Sequence, residues 1–106
     1  NFNVYFYCKL FNRPQPQFTH KQKKEIMVYF NKAINYWKEN KPPNKSSCYS
    51  YNYIFYKILE LLGYKKLLIY VSISKDKNKI KEFDGYWKKT CEYYGWTFHT
   101  TKQLRF

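Results

Sequence analysis

Acidic residues are scarce in this chain of 106 residues: seven Asp and Glu stand against twenty Lys and Arg, a formal net charge of +13. The acids are Glu25, Glu39, Glu60, Asp76, Glu82, Asp84 and Glu92, mostly set among lysines at spacings that suit helix-surface pairing. Glu82 and Asp84 are two apart and would not face one another on a helix. Paired-carboxylate chemistry therefore has no obvious carrier. Glycine is scarcer still, with Gly63, Gly85 and Gly95 alone, and no P-loop, GxGxxG or GxSxG is present. His20 and His99 have no evident Asp or Ser partner, and a Cys48–His99 pairing is the one nucleophilic arrangement left to consider. An enzyme is not expected.

The three cysteines, Cys8, Cys48 and Cys91, are odd in number and far apart. That excludes a disulfide framework and fits a reducing compartment. No CxxC or HxxxH spacing exists, so no metal site and no cofactor are expected. Long apolar runs are missing too, which excludes a membrane-spanning helix. The first residues, NFNVYFYCKLFNRPQ, lack the basic-then-apolar order of a signal peptide. They also lack a starting Met, as expected of a processed chain or a piece of a longer one.

What is abundant is lysine and aromatic side chains. Eighteen of the twenty basic residues are Lys, and Phe, Trp and Tyr make up 24% of the chain. So much positive charge on a small body repels itself unless a polyanion is near. Nucleic acid, held through its phosphates, is the first partner class, and an anionic membrane surface the second. An AT-rich genome would raise Lys, Asn, Ile, Phe and Tyr together, but explains the shortage of acids less well. The aromatic surplus suits burial against protein partners, or stacking on bases.

Hydrophobic periodicity predicts three helices. Thr19 caps the first, which runs to about Lys38 with Ile26, Phe30, Ala33, Ile34 and Trp37 on its inner face. The second covers about Asn52 to Leu62, lined by Tyr51, Ile54, Phe55, Ile58, Leu61 and Leu62, and stops at Gly63. The third starts at a Ser74 cap with Asp76 in its first turn. Ile80, Phe83, Trp87, Cys91 and Tyr94 form its stripe, and Gly95 ends it. Trp96 and Phe98 then alternate with Thr97 and His99 as a short strand. Residues 3–11 read as another strand, 13–17 as a breaker, and 67–73 as either a buried strand or a further helical turn. The expected fold is mainly α: a small three-helix domain with short N- and C-terminal β-strands. Residues 1–18 would form an extended arm and 19–106 the helical domain, with a sub-boundary at loop 39–48.

Residues 45–98 also carry a pattern. A basic-Ser stretch leads into YNYIFYKILELLG, then a short apolar link, then KDKNKIKEFDGYWKKTCEYYGWTF. Its signature is Asp84, Trp87, Lys88, Lys89, Cys91, Trp96 and Phe98. This region resembles the C-terminal region of poxvirus late transcription factor 3-like proteins of large DNA viruses. The resemblance implies a factor that helps a viral RNA polymerase start late genes through nucleic-acid and protein contacts. It implies the host cytoplasm or virus factory as location. Members of that family usually carry a Cys-rich zinc-binding part upstream, and this chain has no CxxC.

The expected function is thus a basic, non-catalytic, nucleic-acid-associated module, DNA or RNA. The alternatives are a structural protein of a large ribonucleoprotein such as a mitochondrial ribosome, placed in the mitochondrion, and a virion-interior or minor capsid protein. The expected phosphate contacts are Lys21, Lys23 and Lys24 at the start of the first helix, where the dipole disfavours cations and a bound phosphate would relieve them. Lys41 and Lys45 on the loop, and Lys77, Lys81, Lys88 and Lys89 on the third helix, complete the set. Trp87, Trp96 and Phe98 are expected in the core rather than in the site.

Overall fold

The computed structural model of the chain describes residues 18–45 and 47–101. Along them run α1 (His20–Asn40), α2 (Tyr51–Leu61), a 3-10 segment (Lys65–Tyr70) and α3 (Lys77–Tyr94). The three predicted helices are therefore present, each within a few residues of its expected bounds. The predicted strand at 3–11 and the breaker at 13–17 lie outside the described residues.

Local chemistry accounts for the helix ends. The Thr19 hydroxyl accepts the Gln22 amide at 3.1 Å, and the Gln22 side chain accepts the Thr19 amide at 2.9 Å. This reciprocal box satisfies two amides that helix geometry would leave unpaired. At the other end Lys41 is extended, φ −62° and ψ 153°, as a residue before proline must be, and α1 stops there. Ser50 caps α2 by accepting the Tyr53 amide at 3.1 Å. Gly63, at φ 83°, closes it: the Tyr64 amide reaches Leu59 O at 2.9 Å and the Gly63 amide reaches Glu60 O at 3.2 Å. That pair of bonds needs a left-handed residue, which glycine supplies without a Cβ clash. The start of α3 corrects the expected cap. Asp76 itself is the N-cap, accepting the amides of Asn78 and Lys79 at 2.9 and 3.4 Å, while Ser74 accepts the Asp76 amide one step upstream. A carboxylate accepts from the helix start more strongly than a hydroxyl, so Asp76 wins the position.

Packing then selects the faces. On α1 the expected stripe Ile26, Phe30, Ala33, Ile34 and Trp37 is buried in full. On α2 the expected stripe is too narrow. Tyr53, Ile54, Phe55, Lys57, Ile58 and Leu59 are buried, whereas Tyr51, Leu61 and Leu62 are only half-buried. The cause is that α2 has neighbours on two sides, α1 and the 3-10 segment. Burying one large apolar side chain contributes about 1.5–3 kcal/mol against about 1 kcal/mol for a cap, so packing decides orientation and caps decide register. On α3 the buried positions are Ile80, Asp84, Trp87, Thr90 and Cys91, and Phe83 and Tyr94 sit at the margin.

Two expectations about extended chain do not hold. Of the two readings of residues 67–73, the buried strand fails and the helical turn holds: the 3-10 segment covers residues 67–70, and Ile69 is 82% exposed. The tail after Gly95 is not a strand, and no strand occurs among the described residues. Its backbone groups bond outside any ladder: the Trp96 amide returns to Cys91 O at 2.8 Å, and side chains serve the end of the tail. The Lys57 ammonium donates to His99 O, and the Thr101 amide donates to Asp84 Oδ2 at 2.9 Å. Trp96 stacks beside Tyr94 and Tyr29, at centroid distances of 4.7 and 5.0 Å, and so seals the end of the core.

Candidate nucleic-acid interface

The nine lysines expected to meet phosphate fall into separate groups. At the start of α1, Lys21 and Lys24 are exposed, while Lys23 is turned inward and half-buried. No acid stands in that first turn. On α3, Lys77, Lys81, Lys88 and Lys89 are all exposed. At about 100° per residue, the first three lie within an arc of about 40°, and Lys89 is about 100° from Lys88. The expected quartet is therefore a stripe of three plus one residue on another flank. Among the described residues no carboxylate pairs with any of the four; the ion pairs are Lys45–Glu82 at 3.8 Å and Lys57–Glu60 at 2.6 Å.

Lys89 faces the loop that carries Lys41 and Lys45. The loop is folded back onto the helices by three contacts. Trp37 Nε1 donates to Ser47 O at 3.1 Å, Lys41 Nζ donates to Lys45 O at 2.8 Å, and Lys45 reaches Glu82 on α3. Two clefts open on either side of the resulting seam. One, of about 330 Å³, is lined by Trp37, Lys45, Tyr49, Lys79, Phe83 and Tyr86 among others. The other, of about 240 Å³, is lined by Tyr36, Trp37, Lys41, Pro42, Tyr86 and Lys89 among others. Between them the Trp37 and Tyr86 rings meet edge to face at 4.9 Å, with Tyr49 5.0 Å from Trp37. The loop thus brings Lys41, Lys45 and Lys89 to one aromatic seam. Lys79, which the sequence reading passed over, joins them there. Lys79 and Tyr86 are seven residues apart and so share a face of α3, and that spacing was the available signal.

The acid in the signature is not at the surface. Asp84 is 6% exposed and accepts from the Tyr53 hydroxyl, the Thr101 hydroxyl and the Thr101 amide. Lys57, 1% exposed, donates to His99 O, lies 3.4 Å from Thr101 Oγ1 and is paired with Glu60. The pair is an ionic contact, since Glu60 Oε1 has no well-directed hydrogen bond. Phe98 and Tyr53 present ring faces to the same ammonium, with centroids at 5.6 and 6.0 Å. A buried charge needs partners on this scale. Asp84 is thus an exception to the acids set among lysines on helix surfaces. Its spacing already hinted at this: Asp84 stands four residues from Ile80, three from Trp87 and seven from Cys91, inside the apolar stripe.

Burial pushes the Cys48 thiol up to about 11 and the Cys91 thiol up to about 12. Thiolate, the nucleophilic form, is then scarce near neutral pH. The Tyr86 phenol is held above its ordinary value by its bond to Glu82, at 2.7 Å, and burial raises Tyr49 well above it. The charge around the seam is thus set by four lysines and Glu82. Among the described residues no three His, Cys, Asp or Glu gather where a metal could bind, and no helix is long and apolar enough to cross a membrane.

A model of the Poxvirus Late Transcription Factor VLTF3 like family matches residues 4–98. The chain belongs to that family. It is 40% identical over 62 residues to a protein of Paramecium bursaria Chlorella virus 1 named as a candidate transcription factor. That match covers 58% of this chain and 17% of the relative. It is 27% identical over 84 residues to a protein of Acanthamoeba polyphaga mimivirus with a similar name, covering 79% of this chain and 20% of the relative. The chain thus spans about a fifth of the length of the curated relatives it matches. No solved structure matches it. These matches favour the viral factor over the ribosomal and capsid alternatives.

Proposed function

We propose that this chain is the basic, non-catalytic part of a viral late transcription factor and holds nucleic acid by its phosphates. The observation that carries the reading is the exposed stripe Lys77, Lys81 and Lys88 on α3, with no acid of the described chain paired to it. Unpaired ammonium groups aligned along a rigid rod gain most from a polyanion, which releases its counterions on contact. Membership of the family and the names of the two viral relatives support the same reading. The protonated thiols, and two histidines with no acid paired to them among the described residues, fit a binding role better than a catalytic one. The surface aromatics would meet protein partners in the larger factor, and free thiols suit a reducing site such as the host cytoplasm or a virus factory.

An electrophoretic shift assay with salt titration tests the proposal. Binding to DNA or RNA at about 50 mM salt that weakens linearly on a log–log plot is expected. Absence of any shift at that salt would overturn it.

A further inference from the structure

The aromatic seam between α1, the loop and α3 is unlike the lysine stripe, because it combines cations with ring faces. We infer that this seam is a slot for an unpaired nucleic-acid strand, whose bases enter the two clefts beside Tyr86 while Lys41, Lys79 and Lys89 hold its phosphates. The inference rests on the phosphate-binding reading above and adds the class of strand and the place.

Three observations support it. First, the clefts are open to solvent on both sides of one ring pair, and volumes of about 330 and 240 Å³ suit a flat heterocycle. A duplex hides its base faces, so only an unpaired strand could use them. Second, the charge is complementary. Four lysines line the two clefts, and the one carboxylate there, Glu82, already serves Lys45 and the Tyr86 hydroxyl. Third, the carbonyls at the seam are committed within the fold: Ser47 O to Trp37 and Lys45 O to Lys41. These bonds hold the loop in place, so the clefts are formed before a strand enters. The aromatic surface continues past the second cleft, where Tyr93, 65% exposed, lies 5.0 Å from Tyr36.

Fluorescence anisotropy of the full 106-residue chain decides the matter, using dye-labelled oligothymidylate of about 12 nucleotides, the matching duplex and the ribo-oligomer. Expected is at least about tenfold tighter binding of a single strand, DNA or RNA, than of the duplex. Tyr86→Leu, which keeps apolar bulk but removes the ring, should weaken it by about five- to a hundredfold. Should Tyr86→Leu fail to fold, the exposed pair Lys79→Gln and Lys89→Gln serves instead, lowering the slope of log affinity against log salt by about 1.4. Duplex binding equal to or tighter than that of both single strands overturns the inference. So does native affinity in a natively melting Tyr86→Leu together with an unchanged slope in the lysine pair. Binding of duplex alone would leave the phosphate-holding role standing, whereas binding of no oligonucleotide would remove both.

Discussion

Lys57 on α2 and Lys88 on α3 are the same residue type in opposite surroundings. Lys57 is sealed under the C-terminal tail, with Glu60, His99 O and two ring faces around it. Lys88 stands in solvent, and no carboxylate among the described residues is paired to it. The acids divide likewise: Asp84 is buried and binds three donors, and Glu92 on the same helix is exposed. Charge in the interior ties elements together. Charge on the exposed stripe of α3 has no paired acid among the described residues.

The largest effects should come from the interior. Trp87, 1% exposed, fills the space between α3 and the tail, so Trp87→Ala should cost about 3–5 kcal/mol in denaturant unfolding. Asp84→Ala strands the Tyr53 hydroxyl and two Thr101 donors, at about 1–3 kcal/mol for each group left unsatisfied in the core. Glu92→Ala is the control, expected to stay within about 0.5 kcal/mol. Similar losses in both would erase the distinction drawn between interior and surface acids.

Backbone effects come next. Gly95 sits at φ 73° with open space where a Cβ would stand. Gly95→Ala should therefore cost about 1 kcal/mol, from the left-handed backbone alone. A much larger loss, read by thermal melting, would mean that the site is crowded. The smallest effect is alkaline. Cys48 and Cys91 have folded values raised by burial above 9.0, so both stay protonated when folded at pH values where the unfolded thiols ionise. Their contribution is complete below about pH 9 and declines as pH rises toward 11 and 12. Replacing both by Ala should flatten the fall in stability across that window, measured by denaturation at stepped pH.

Periodicity made the three helices, and the glycine stops of the last two, legible, because each element carries its own apolar stripe and cap. What the pattern hid was the polar interior. Lys57 and Asp84 bury through partners that arrive from residues 98–101, and no local rule foretells those contacts. The tail misled for the same reason: Trp96 and Phe98 alternate like a strand, but the Trp96 amide turns back to Cys91 O and side chains serve His99 O and the Thr101 amide. At the surface, the lysines were readable one at a time, whereas their grouping depended on the loop folding back through Trp37. That fold-back moved Lys89 from the expected stripe to the seam and added Lys79 to it.

The most direct measurement is the salt dependence of DNA binding by the Lys77→Gln, Lys81→Gln and Lys88→Gln triple variant. If that stripe meets phosphates, the slope of log affinity against log salt falls by about two units or more while the melting temperature stays native. An unchanged slope with an intact fold would contradict the account, for those ammonium groups would then touch only water.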